Sequence, residues 1–441
     1  MGNKRTASRK KNLLNYTVPS IIAMCGTFLY IVVDGIFVGR GVGMDALGAV
    51  NMAMPFILFV DALCTLMTVG GITITAIRLG RGDKRGANDA FRHATLLALF
   101  AAMILTIVSI SFPRKIAMLL GANITFFEMT SDYIFYSAMF FLPLTLSYIL
   151  QGFVRNDGSP KLVGIAVIVG ACTNVFLDWL FIFPLQMGVK GAALATGAGE
   201  VLVVAILMTH FARRKGVLRL GKAAFSWTLI GKIFKRGLPE MLFQLGTPIT
   251  TFCMNRILID ALGDMSVSAF SVISYLFSFV MGIFLGVSEG LQPLIGQNYG
   301  RKDANEMKFY FRSGIIINFF ASGAVYSLLL IFGVRIYSLF GSEPVLINTV
   351  ADALPKFGWG FMLIASNLMI GSYLYSTKRT AQALILASCR CIVLNSALIL
   401  LLPRLFAPEI VWYSLGIAEL ISFIIAVILL RYSERNGVVF R

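Results

Sequence analysis

The sequence predicts an all-α polytopic membrane protein. Twelve transmembrane helices are expected, in two six-helix lobes related by a parallel pseudo-two-fold repeat. Three observations predict it. First, 58% of the 441 residues are apolar and only 13% are charged, about half the charged share of a soluble domain. Second, apolar runs of roughly 20 residues, the length that crosses a bilayer, recur along the chain. Third, the chain repeats itself at an offset of 220 positions (239−19). Pro19 returns as Pro239, Gly26-Thr27 as Gly246-Thr247, Gly43 as Gly263 and Gly70 as Gly290. Gly80-Arg81-x-Asp83 returns as Gly300-Arg301-x-Asp303, Phe91-Arg92 as Phe311-Arg312, and Gly121 as Gly341. Beyond these the offset slips by one, and Gly197-x-x-Glu200 matches Gly416-x-x-Glu419.

The expected spans of the first half are 13–38, 47–77, 91–112, 126–152, 161–184 and 189–211. Those of the second are 237–261, 267–297, 309–332, 345–375, 381–402 and 408–431. Residues 1–211 form the N-lobe and 237–441 the C-lobe. The stretch 212–236 is a basic cytoplasmic linker containing Gly216, Gly221 and Gly231, with a short amphipathic piece. Six helices per half make the two halves enter the membrane in the same direction, a parallel repeat of the kind that builds transporters.

Lysine and arginine set the orientation. One set of loops carries Lys4, Arg5, Arg9, Lys10 and Lys11, then Arg78, Arg81, Lys84 and Arg85, then Arg155 and Lys161. The same side holds Arg213, Arg214, Lys215, Arg219, Lys222, Lys232, Lys235 and Arg236. It continues with Arg301, Lys302, Lys378, Arg379, Arg431, Arg435 and Arg441. The opposite loops hold Arg40, Arg114, Lys115, Lys190, Arg335, Lys356 and Arg404. By the positive-inside rule both termini are expected in the cytoplasm, and the basic start Met1–Lys11 reads as a cytoplasmic tail, not a signal peptide. The net charge of +17 is therefore in large part an orientation signal, and no nucleic-acid partner is expected.

Six cysteines lie within apolar segments without a C-x-x-C pair, and only His93 and His210 are available as imidazoles. No metal site and no disulfide framework is expected. There is no G-x-S-x-G or metal motif, no cofactor is expected, and an enzyme is disfavoured. A channel is disfavoured too, since no ring of charge or filter is evident.

Residues present in one repeat and absent from the other are candidates for function. Asp34 faces Met254 in the repeat, and Asp178 faces Leu398, or Ala397 after the slip. An ionised side chain within hydrocarbon costs at least about 2.5–3.5 kcal/mol, so an intramembrane Asp is a functional hypothesis by default. Asp34, Asp178 and Thr196 are expected at one level in the outer half of the first lobe. Asn174 stands one turn before Asp178 on the same helix face. Two carboxylates, an amide and a hydroxyl suit a proton or a sodium ion, with the proton placed first. The alternative is that each Asp caps or braces a neighbouring helix end.

Glu200 matches Glu419, which favours a structural role, although Glu200 is close enough to join the polar layer. Asp61 either offers negative charge to a cationic substrate or faces a helix partner. Glu289 is a candidate gate or substrate contact. Asp61, Glu200 and Glu289 are the candidate substrate-binding residues. Arg256 and Asp260 are expected to pair at i,i+4, and Arg390 is an intramembrane charge whose partner the sequence does not name. Pro19 and Pro239 remove a backbone hydrogen bond inside the first helix of each half and are expected as matched hinges.

These residues resemble the multidrug and toxic compound extrusion (MATE) family over nearly the whole chain. The landmarks are Pro19 followed by Asp34-Gly35-x-Phe37-Val38-Gly39, and Arg78-Leu79-Gly80-x-Gly82-Asp83. Asn174-x-x-x-Asp178 and Gly188-x-x-Gly191-Ala192-Ala193-x-Ala195-Thr196 follow, with Gln292-Pro293 and Asn298-Tyr299-Gly300. The last two point to the bacterial DinF-like branch. The resemblance implies two lobes forming a V, with cation-coupled export of bulky, often cationic organic compounds from a bacterial inner membrane. It places coupling at Asp34, Asn174, Asp178 and Thr196. A second-lobe glutamate found in some relatives falls close to Thr247 here, so coupling through the first lobe alone is expected.

Two rival transporters remain open: a lipid-linked glycan flippase of the same superfamily and a major-facilitator-type carrier. The flippase would want a cleft rich in cations. The facilitator would want a glycine at Leu79 and a basic pair after Gly86, where Ala87-Asn88 stands. A monomer in the lipid bilayer is expected, because the chain supplies both halves of its cleft.

Overall fold

The computed structural model describes residues 2–120, 122, 127–221, 225–337 and 344–435. Gly121, Lys222, Gly341 and Arg441, named above in the repeat or the basic loops, lie outside the described residues. The chain divides into two units, Met1–Met241 and Leu242–Arg441. The described residues are almost wholly helical, as apolar surroundings require: backbone N–H and C=O groups without water must pair within their own segment.

The first six elements are α1 (Gly2–Gly41), α2 (Met44–Gly80), α3 (Lys84–Ser111), α4 (Pro113–Leu119), α5 (Phe127–Ala138) and α6 (Phe141–Asn156). Next come α7 (Pro160–Ile182), α8 (Gly188–Ala212) and α9 (Trp227–Leu262). The rest are α10 (Asp264–Arg301), α11 (Ala304–Tyr337), α12 (Pro344–Gly358), α13 (Phe361–Ser376), α14 (Thr380–Ser388), α15 (Asn395–Leu405) and α16 (Val411–Arg435). A π-helical segment, Cys389–Leu394, joins α14 to α15.

Among the described residues nine helices are long and apolar enough to cross a membrane. Two further spans are broken pairs: α5 and α6 meet at 53°, and α12 and α13 at 44°. The expected span 237–261 lies within α9. That helix is 36 residues long and starts ten residues early, at Trp227. It runs straight through Gly231 and Gly237, and it is too polar along its length to count among the apolar spans.

The repeat is written into the backbone. Gly43 and Gly263 both have positive φ (126° and 80°) and precede α2 and α10. Gly82 and Lys302, which occupy the same repeat position, are both left-handed (79° and 62°), as are Gly158 and Lys378 (92° and 65°). The breaks at Ala138–Phe141 and Gly358–Phe361 are also 220 residues apart. The shared Asp83 and Asp303 are helix N-caps. Asp83 Oδ1 accepts from Gly86 N at 2.8 Å, and Asp303 Oδ1 from Glu306 N at 3.0 Å. Each satisfies one backbone donor that a helix start leaves open.

In the first unit, α7 is the central element and packs along α1 and α8. Glycines permit the close approach. A Cβ at Gly164 would stand 3.2 Å from Pro19 Cβ on α1, and one at Gly199 on α8 would stand 3.0 Å from Gly170 O on α7. Small residues at such crossings let helices touch backbone to backbone. On α3, Leu96, Phe100, Ile104 and Ile107 form an exposed apolar stripe suited to lipid.

After α8 the chain folds back on the first unit. Asp157 accepts from Val217 N at 2.8 Å and Leu218 N at 3.1 Å, and its carboxylate pairs with His210 Nε2 at 2.9 Å. Leu218 is fully buried in the core beside Phe91 and Phe153. In the second unit the hydrophobic core holds Phe270, Phe284, Phe357 and Phe361, and the ring of Phe357 meets those of Phe270 and Phe361.

The two caps give a direct check. Asp83→Ala and Asp303→Ala should each destabilise the protein by about 1 kcal/mol, read as a lower midpoint of unfolding in detergent. The effects of two caps so placed in separate units should add.

Candidate functional site

Asp34 and Asp178 meet because of where α1 and α7 cross. Pro19 abuts Gly164. From there Asp34 is 15 residues along α1 (34−19) and Asp178 is 14 along α7 (178−164). At 1.5 Å per residue both lie roughly 21–23 Å further on, on helices that run the same way. Their carboxyl groups come within hydrogen-bonding range of each other. Asp178 is fully buried, with Asn174 as well as Asp34 within reach of its carboxyl group; Asp34 Oδ1 is also buried, without a donor. Two carboxylates only accept, so a bond between them requires a proton.

The second crossing brings α8 to the same place. Gly199 lies against Gly170 and against Asn174 Cβ. Three residues back from Gly199, Thr196 Oγ1 accepts from Asn174 Nδ2 at 3.3 Å. Asn174 is buried and its Oδ1 has no donor. The four residues the sequence singled out for the polar layer are therefore neighbours. Tyr133, on α5, was not among them. Its phenol bonds Ser137 and lies within electrostatic reach of Asp34, Asp61 and Asp178. Its type and its place on a broken helix give no sequence signal.

Asp61 and Glu200 form a second acidic group. They are within electrostatic reach of each other. Glu200 bonds Ser147, and Gln151 Nε2 donates to Ser147 Oγ at 3.0 Å. Asp61 Oδ1 and Glu200 Oε2 are buried without a donor. Among the described residues no lysine, arginine or histidine pairs with Asp34, Asp61, Asp178 or Glu200. Glu289 lies apart from them, on α10 of the other unit.

The second unit handles its matching acid differently. Glu419 is buried, and both its oxygens lie 2.8 Å from Arg390 Nε. Asn367 Nδ2 donates to Glu419 Oε2 at 2.7 Å. Glu419 is thus the partner of Arg390, and Glu200 has no such cation. Arg256 and Asp260 pair at 3.3 Å, as i,i+4 spacing predicts, on a well-exposed face.

The MatE family matches residues 19–180 and 239–401, one match in each repeat. The chain belongs to the MatE family. A multidrug export protein MepA of Staphylococcus haemolyticus is 24% identical over 97% of this chain and 94% of its own length. A MepA of Staphylococcus aureus is 23% identical over 95% and 93%. A crystal structure of a MATE in complex with MaL6 has a TM-score of 0.91 at 23% identity, covering 96% of both chains. An outward-facing multidrug resistance MATE family transporter of the MOP superfamily also scores 0.91 at 23% identity, over 96% of this chain and 95% of its own. This MatE protein is thus a multi-pass helical membrane protein with the MATE fold.

Removing one partner of a buried ion pair strands the other charge, at roughly 3–5 kcal/mol. Arg390→Met should therefore lose stability by that order in a detergent unfolding measurement, and Arg390→Met Glu419→Leu should recover most of the loss. Equal losses in the single and double variants would mean that packing, not charge, dominates.

Proposed function

We propose that this MatE protein is an antiporter that exports bulky, often cationic organic compounds in exchange for a cation, by alternating access, with the coupling site in the first unit. A proton is the favoured cation. The observation that carries this reading is the meeting of Asp34 with Asp178, buried and without a cation to pair with among the described residues. Such a pair holds a proton or a bound cation between its oxygens and separates or repels without one. Asn174 and Thr196 complete the donor set, and Tyr133 borders it.

Protonation would neutralise the pair and let α1 pack against α7. Loss of the proton to the cytoplasm would return charge to the site and restore affinity for a cationic compound. Asp61 and Glu200, also unmatched by a cation among the described residues, offer such a compound negative charge. Each cation moving down a 100 mV potential supplies about 2.3 kcal/mol before any concentration term; exporting a monovalent cationic compound costs the same, so one-for-one exchange is driven by the cation's concentration gradient and a second cation adds the potential. Cytoplasmic termini, a bacterial inner membrane and a monomeric state complete the proposal. The acidic interior of the first unit speaks against a lipid-linked glycan, whose pyrophosphate needs cations.

The test is ethidium efflux from proteoliposomes with a pH gradient and a sodium gradient imposed separately. Efflux should follow the pH gradient, acid on the side that receives ethidium, and fall to the protein-free rate in Asp34→Asn. Efflux driven by sodium alone would replace the proton with sodium. Coupled efflux retained in Asp34→Asn Asp178→Asn would remove the coupling site from the first unit.

A further inference from the structure

Residues 212–239 carry eight lysines and arginines and no aspartate or glutamate, and the antiport reading uses none of them. The first of these cations stand on a backbone that is already fixed. Asp157 accepts from Val217 N and Leu218 N, Asn88 Oδ1 accepts from Arg219 N at 2.6 Å, and Asn88 Nδ2 donates to Val217 O at 3.2 Å. The guanidinium of Arg219 donates to Leu218 O at 2.8 Å and to Arg214 O at 3.4 Å. With Leu218 pinned in the core, Arg213, Arg214 and Lys215 remain exposed.

The start of α9 is presented in the same manner. Ser226 Oγ accepts from Leu229 N at 3.4 Å, where the helix begins. Leu229, Ile233 and Gly237, four apart, are buried, and the last two lie against Gly70 and Leu66 of α2. The other face leaves Trp227, Gly231, Lys232, Phe234 and Lys235 exposed. Trp227 is 75% exposed and Phe225 68%, and their rings meet edge to face at 4.9 Å. Leu218 and Leu229 belong to one core, so both basic stretches are mounted on the same body. Among the described residues, no acid pairs with Arg213, Arg214, Lys215, Lys232 or Lys235.

We infer that this surface binds the headgroups of anionic phospholipids, with the five unmatched cations on the phosphodiesters and the rings of Phe225 and Trp227 at the level of the glycerol backbones. Lysines beside tryptophan and phenylalanine at the foot of a span suit the membrane–water boundary, and basic residues there are drawn to an anionic leaflet. The expected span starting at 237 puts Lys235 and Lys232 two and five residues before it, about 3–8 Å at helix rise. A soluble anion would satisfy the cations and leave the two exposed rings without a partner. Asp157 and Asn88 order the strap beforehand, which lowers the entropy lost on binding. The inference does not depend on the antiport reading.

The experiment uses the full chain in phosphatidylcholine nanodiscs that carry a minor share of one brominated lipid, either phosphatidylglycerol or phosphatidylcholine. Tryptophan quenching is read in wild type and in Trp227→Phe, and the difference is the part due to Trp227. Brominated phosphatidylglycerol should quench that part at about one-fifth of the content needed with phosphatidylcholine, or less, the worth of a single basic residue at an anionic surface. The preference should shrink in high salt. Lys232→Gln Lys235→Gln should lose part of it, and adding Arg213→Gln Arg214→Gln Lys215→Gln should remove the rest, whereas Lys232→Arg Lys235→Arg should keep it. Asp34→Asn should match wild type, and inorganic phosphate should change nothing. Equal quenching by the two lipids at low salt would overturn the headgroup preference. Absence of Trp227 quenching by either lipid would overturn the docking face itself. A preference retained in the folded five-residue variant would overturn the assignment to these cations, and its loss on adding phosphate would make the site one for a free anion.

Discussion

A chain in hydrocarbon must satisfy every backbone polar group from within, and the structure follows from that constraint. Helices that outrun the hydrocarbon core, up to 40 residues in α1, leave few places where the chain can turn. Those places need left-handed backbone, a side-chain cap, or a break whose open groups neighbouring helices can cover. They recur at Gly43 and Gly263, at Gly82 and Lys302, and at Gly158 and Lys378. A polar chain could change such corners freely; here both copies keep their positions even where lysine has replaced glycine.

On that duplicated frame the two units dispose of charge in opposite ways. The first gathers Asp34, Asp61, Asp178 and Glu200 without a cation among its described residues. The second buries one acid, Glu419, and cancels it with Arg390 and Asn367. A duplicated frame thus carries an acidic interior in one unit and a neutralised acid in the other. The difference lies in side chains and in the π-helical segment that carries Arg390.

Much of this was legible in the sequence, for reasons that can be named. The spans were legible because lipid requires long apolar runs. The corners were legible because glycine and the capping aspartates recur at a fixed offset. Asp34, Asn174, Asp178 and Thr196 stood out because each is polar in one copy, and helix rise alone brings them to one level. Other features depend on rotation about a helix axis, which composition does not report. The partner of Arg390 is of this kind: Glu419 lies on a different helix, and the π-helical segment between α14 and α15 resets the direction in which Arg390 projects. The apparent equivalence of Glu200 and Glu419 concealed the same difference. The start of α9 was obscured because Gly216, Gly221, Gly231 and the lysines read as a linker, whereas packing of Ile233 and Gly237 against α2 holds the chain helical there.

The spacing of the buried ion pair also bears on how the chain is made. Arg390 and Glu419 are 29 residues apart, whereas 139 residues separate Asp61 from Glu200 (200−61). At roughly 5–20 residues per second of synthesis, the first pair is complete within a few seconds and the second only after about 7–28 s. The last two spans can therefore enter the bilayer as a hairpin whose charges are already cancelled. Asp61 gains no counter-charge in this way, because Glu200, the neighbour that follows it, is itself an acid. The acids of the first unit are therefore carried into the bilayer with no cation among the described residues to cancel them.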